Sequence, residues 1–285
     1  DKLSGMCKTD RENYEKYCHD INPFIKFGCI KDAKFSEKMM DYVLYKNIDD
    51  KYLTLEDCVK ENQKPEEKAE EEKPAEDAQE KKEESEKEKV TIYYVTDPVQ
   101  QSQYINMFRS QKMDAVILRH NIDTAFITHV ERVKENVKFQ RIDADLTEDL
   151  KEDGADLEEE KKALESLFRK ALNNEKLEVR VENLKDEKVS AMVTLSEESR
   201  RMEEMMKMYG MGGMDASAFG GQQTLVLNAK HPLVQYIYSH QDGEKVTMFC
   251  KQLYDLAMIS HKPLSPEEMT AFIARSNEIM MELTK

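Results

Sequence analysis

The chain has 285 residues, of which 35% are charged and 39% apolar, and its 58 Asp and Glu against 43 Lys and Arg leave a formal net charge of −15. That balance argues against duplex nucleic acid or an anionic membrane as partner, because both reward clustered Lys and Arg. No run of about 18 apolar residues offers a membrane span, and five Cys (7, 18, 29, 58 and 250) without a CxxC pair predict reduced, packed thiols of a cytoplasmic protein.

The opening DKLSGMCKTD has neither the apolar core nor the cleavage site of a signal peptide and lacks an initiating Met. A processed, trimmed or fragmentary start is expected. Residues 1–59 read as a helical coil. Within it, 36-SEKMMDYVLYKN-47 sets Met39, Met40, Val43 and Leu44 on one face at helical spacing. Thr54 then caps a further helix whose first turn is acidic. Residues 60–89 hold 13 acidic and eight basic side chains and no aromatic or branched aliphatic one. Such a segment buries too little apolar area to offset its ordering entropy, so it reads as a disordered acidic insert.

Residues 90–150 alternate cleanly. Strands are expected at Val90–Val95, Asp114–Leu118 and Val137–Ile142. Helices are expected from Pro98 to Gln111, with Tyr104, Ile105 and Phe108 inward, and over 122–135. That alternation predicts a small α/β/α unit with a parallel sheet. Residues 155–285 form a second, α+β unit. An amphipathic helix at 156–173 carries Leu157, Leu164, Leu167, Phe168 and Leu172. Strands 177–184 and 188–195 follow, joined by Lys185-Asp186-Glu187, which predicts an antiparallel hairpin. A helix at 199–209, a strand at 223–228 and helices at 231–241, 245–261 and 265–284 complete it. The last starts with Ser265 as cap, Pro266 at the first position and Glu268 closing a capping box.

Chemistry-bearing patterns are missing. The glycines of GMGGMDASAFGG match neither a GxxxxGK[ST] loop nor a dinucleotide fingerprint. Cys7, Cys18, His19 and Cys29 match no zinc spacing. His231, His240 and His261 fall at helix ends, where they cap or answer the helix dipole, and no GxSxG accompanies them. No catalytic residue, metal or cofactor is therefore expected in this chain, and it is not read as an enzyme.

Six methionines fall between 202 and 214. On a helical wheel of about 100° per residue, Met202, Met205, Met206 and Tyr209 share one arc with Met208 at its edge. Such a stripe is either core or an exposed surface for varied partners. Met packs adaptably, and the glycine-rich stretch behind it, with Met211, Met214 and Phe219, is slack. A second constellation lies in the final helices. Val246, Phe249, Cys250, Leu253 and Leu256 form one stripe. Met269, Phe272, Ile273, Ile279, Met280 and Leu283 form another. Two such αα-hairpins close into a four-helix bundle by two-fold symmetry, which predicts a homodimer. The alternative is docking onto the sheet of the same chain.

In order, 21-INPFIKFGCIKDAKFSEKMMDYVLYKN-47, 52-YLTLEDC-58, 92-IYYVTD-97 with 105-INMF-108, and 191-AMVTLSEESRRMEEMMKMYG-210 with 228-NAKHPLV-234 resemble the heat-shock protein 90 family in its bacterial HtpG form. The resemblance spans nearly the whole chain except the acidic insert. It implies a dimeric, cytoplasmic molecular chaperone of the stress response. Residues 1 to about 150 correspond to the later middle domain, and those from about 155 to the C-terminal dimerisation domain. Helix 199–209 and the stretch after it would contact partly folded client proteins through Met202, Met205, Met206, Met208, Tyr209, Met211, Met214 and Phe219. The family's ATP and magnesium site belongs to an N-terminal domain not represented here, so a fragment without ATPase activity is expected. The chain departs from the family in three ways. A client-contacting Trp of some bacterial members falls at Ala125, with Phe126 as a possible substitute. The acidic insert interrupts the middle domain. The end, MMELTK, lacks the acidic tail of eukaryotic cytosolic relatives. The alternative to a chaperone is a structural adaptor dimer whose Met stripe is core.

Overall fold

The computed structural model describes residues 2–63, 89–146, 148–152, 154, 157–208, 223–241, 243 and 245–284, the side chains of 203–208 excepted. The fold mixes helices with small parallel and mixed sheets. Two compact units share the chain: Asp1–Asp97 with Lys112–Ile142, and Pro98–Gln111 with Asp143–Lys285.

The first unit opens with helices α1 (Lys2–Thr9), α2 (Arg11–Lys31) and α3 (Ala33–Met39). Asp32 separates the last two and caps α3 by accepting from the Phe35 amide at 3.0 Å. The helix expected over 36–47 stops at Met39. A single 3-10 turn, Met40–Tyr42, follows, and then the chain extends. Burial of Met39, Met40, Val43 and Leu44 is as expected, but by another geometry. Val43 enters the main core and Leu44 a second cluster with Cys7, Tyr14 and Cys18. Neighbouring side chains facing opposite ways is the period of a strand. The β-branched and aromatic run here continues into β1 (Tyr45–Lys46), which pairs antiparallel with β2 (Tyr52–Leu53). Between them the Asn47 carboxamide oxygen accepts from the amides of Asp49 and Lys51. Thr54 then caps α4 (Leu55–Asn62), as the sequence predicts, and Asp57 closes a reciprocal capping box with it.

β3 (Val90–Val95) follows. The chain leaves this unit to form α5 (Ser102–Ser110) and returns for β4 (Val116–Ile117), α6 (Ile122–Val133) and β5 (Val137–Arg141). The strand order is β4-β3-β5, all parallel, with Tyr94 opposite Val116 and Ile92 opposite Phe139. Pro98 lies in a turn rather than in the first turn of α5, which begins four residues later. Phe126, Ile127 and Val130 of α6 meet Ile92, Phe139 and the α2 residues Ile25 and Cys29 in one core. Within that packing Lys26 of α2 reaches Asp123 of α6 at 2.6 Å, both almost wholly buried.

The second unit holds α7 (Glu158–Leu172), β6 (Glu178–Glu182), β7 (Ala191–Leu195), α8 (Glu197–Met208), β8 (Gln223–Asn228), α9 (Pro232–Ser239), α10 (Val246–His261) and α11 (Pro266–Glu282). The expected β6–β7 hairpin does not form. β8 lies between them, parallel to β6 and antiparallel to β7. The cause is visible at Asn228. Its buried side chain donates to the carbonyls of Asp186 (3.2 Å) and Val189 (2.9 Å) and accepts from the amides of Leu184 and Lys230. The 184–190 link folds around β8 instead of turning tightly. Leu164 and Phe168 of α7 and the inner face of α10 cover this sheet. The Tyr104 hydroxyl of α5 donates to the Val193 carbonyl at 2.7 Å.

Candidate functional site

The start of the Met-bearing helix α8 is firmly held. Ser196 Oγ accepts from the Ser199 amide at 3.2 Å. Glu197 receives both Arg200 (2.7 Å) and Arg201 (2.8 Å), and the Arg200 side chain is itself buried. Met202, one turn on, is 37% exposed. Met205, Met206 and Met208 stand on the helix, but their side chains lie outside the described residues, as do Tyr209, Met211, Met214 and Phe219 altogether.

The C-terminal stripes divide sharply. Val246, Cys250 and Leu253 face the sheet in the chain's own core, and Phe249 packs against the same core. The sequence placed them in a dimer seam, with docking onto the sheet of the same chain as the alternative, and period alone does not decide between the two. Leu256, at the edge of the same stripe, is 44% exposed. On α11 no residue is buried. Met269, Ile273, Met280 and Leu283 are exposed, and Phe272 and Ile279 are half-buried beside them. At about 100° per residue these six lie within one arc of roughly 120°. Met281, also exposed, projects elsewhere on the wheel and was missed by the stripe.

The reason this face stays open is the chemistry of the α10–α11 contact, which is polar. Arg275 donates to Gln252 Oε1 at 2.9 Å and pairs with Asp255. Gln252 donates to Ser276 Oγ at 2.9 Å, and Lys245 pairs with Glu282 at 2.8 Å. Burial pushes the Asp255 carboxyl up, with Arg275 pulling the other way. A groove of about 710 Å³ runs between the helices, lined by Lys245, Met248, Lys251, Ala274, Arg275 and Glu278 among others. The helices are thus joined by hydrogen bonds, and the apolar stripe of α11 is turned outward. The capping box of Ser265 and Glu268 that starts α11 is present as expected.

In the first unit, Ala125 is exposed but Phe126 is fully buried in the core. Phe126 therefore cannot stand in for a surface aromatic there. A different aromatic surface was missed: Tyr17, Phe24 and Phe27 are exposed along α2, spaced i, i+7 and i+10. All five Cys are free and buried. Burial pushes the thiols of Cys18 and Cys250 up to about 12 and that of Cys29 to about 11. His231 Nδ1 accepts from the Leu233 amide and caps α9. His261 is buried against Asp143, 3.1 Å away. Among the described residues no three metal-ligating side chains converge, and no helix is long and apolar enough to cross a membrane.

Comparison with known proteins gives these surfaces a context. The chain is 28% identical to the chaperone protein htpG of Bacteroides fragilis (strain YCH46) over 260 residues, 86% of this chain and 34% of that protein. It is 26% identical to that of Porphyromonas gingivalis over 86% of this chain and 34% of that protein. With the chaperone protein HtpG of Pseudoalteromonas translucida it shares 23% identity over 99% of this chain and 42% of that protein. The chain spans about a third of the length of the first of these relatives. The sequence profile described as Hsp90 protein matches residues 78–284, well over half of the chain, which therefore belongs to the heat-shock protein 90 family.

Proposed function

We propose that this chain performs the client-holding and dimer-forming work of a heat-shock protein 90 chaperone. The observation that carries the reading is the coincidence of family membership over 78–284 with two outward apolar features. One is α8, anchored at its start and exposing Met202. The other is the unpartnered stripe of α11. Partly folded polypeptides would meet the Met202–Met208 face, where Met adapts to differently shaped partners. A second copy would cover Leu256, Met269, Phe272, Ile273, Ile279, Met280 and Leu283 by two-fold symmetry. No ATP or magnesium chemistry is assigned to residues of this chain.

The test is suppression of aggregation of a thermally unfolding enzyme by the 285-residue chain. Met205→Ser, Met206→Ser and Met208→Ser together should reduce suppression several-fold at equal protein. Circular dichroism should remain unchanged. Full suppression by the folded triple variant would reject the client surface and leave an adaptor.

A further inference from the structure

We propose that His19 and His120 form a two-imidazole site for a divalent transition-metal ion of the zinc class. His19 lies on the exposed side of α2, and His120 stands two residues before α6. Both rings are exposed, and their centres are 5.5 Å apart with the planes tilted by 44°. A zinc ion takes imidazole nitrogen at about 2.0–2.1 Å in tetrahedral geometry, which places two ligating ring centres roughly 5–5.5 Å apart. The observed separation matches that bite.

The pair is also pre-organised. The His120 amide donates to Asp123 Oδ2 at 2.9 Å. The other oxygen of Asp123 receives Lys26 Nζ at 2.6 Å, so the backbone carrying one imidazole is tied to the helix carrying the other. The two backbones therefore need little rearrangement for the imidazoles to act together, and only the side-chain torsions remain to be ordered on binding. Since no third protein ligand converges among the described residues, solvent completes the coordination. Imidazole donors suit zinc, copper and nickel and do not suit magnesium or calcium. The bound ion would clip the middle of α2 to the start of α6.

Isothermal titration of the full chain with ZnCl2, under reducing conditions, tests the site. One equivalent should bind, with His19→Ala and His120→Ala each weakening it by at least about tenfold, since even outer-shell losses cost 10–100-fold. The thermal midpoint of the wild type should rise with Zn2+ and that of the two variants should not. His240→Ala should bind as the wild type does. Equal Zn2+ affinity in the wild type and both variants would overturn the proposal and assign binding to other groups, such as the carboxylates of 60–89. Absence of any Zn2+ binding by the wild type would overturn it equally, as would Mg2+ competing on equal terms.

Discussion

Asn228 gives the second sheet its order. With four hydrogen bonds spent on 184–190 and on Lys230, Asn228→Ala should cost on the order of 2–4 kcal/mol, because it strands buried backbone groups. A urea-derived unfolding free energy that falls by less than about 0.5 kcal/mol would refute that role. At His129 the tautomer is fixed by its neighbours. Arg132 can only donate, so Nδ1 (3.0 Å away) carries the lone pair, and Nε2–H donates to Ser36 Oγ at 2.8 Å. Burial, with the Arg132 charge beside it, holds this imidazole below its ordinary value of 6.5. The unfolded chain thus takes up a proton more readily, and the contribution of neutral His129 is full above about pH 6.5 and declines as the pH falls below it. Between pH 7 and 5.5 the wild type should lose more stability than His129→Gln, measured by urea midpoints. Neither residue could be singled out from sequence, because each acts through partners far along the chain. The Thr54 cap and the Ser265–Glu268 box were legible, since a cap closes within four residues.

At the scale of elements, legibility tracks locality in the same way. The strands of the parallel sheet and the helix between β4 and β5 stand where alternation places them, because β-branched runs and helical periods are local signals. The 36–47 segment failed because Met-Met-x-x-Val-Leu satisfies a helical wheel while Tyr45 pairs with Leu53 in a strand. The β6–β7 link failed because an intervening strand is a non-local choice. The apolar stripe of α11 was legible, while for Val246, Cys250 and Leu253 the sequence offered both a dimer seam and docking onto the chain's own sheet, and only the packing decides for the sheet. One element end is strained: Lys112, just past α5, holds a φ of 57°, the left-handed region where glycine usually ends a helix. Lys112→Gly should therefore raise stability by up to about 1 kcal/mol. A lowered thermal midpoint would contradict that view of the turn.

For the whole molecule, the acidic surface and the outward α11 stripe set opposing demands. A net charge of −15 keeps copies apart, whereas burying the stripe draws two together. In sedimentation the chain should be dimeric at tens of micromolar, and its thermal midpoint should rise with protein concentration. The variant with Met269, Ile273 and Met280 all changed to Ser should sediment as a monomer with a concentration-independent midpoint. A wild type that remains monomeric would sink the two-fold arrangement. Residues 64–88 and the side chains of 203–208 lie outside the described residues, and a second copy leaves no local signature in one chain. The shared course of the chain through its two units has a consequence for synthesis. Tyr104, Ile105, Met107 and Phe108 of α5 are buried, and α5 belongs to the second unit, yet they leave the ribosome almost 90 residues before Val193, whose carbonyl receives Tyr104. At about 5–20 residues per second that is roughly 4–18 s, during which the nascent chain displays an apolar segment whose covering strand has not yet been made.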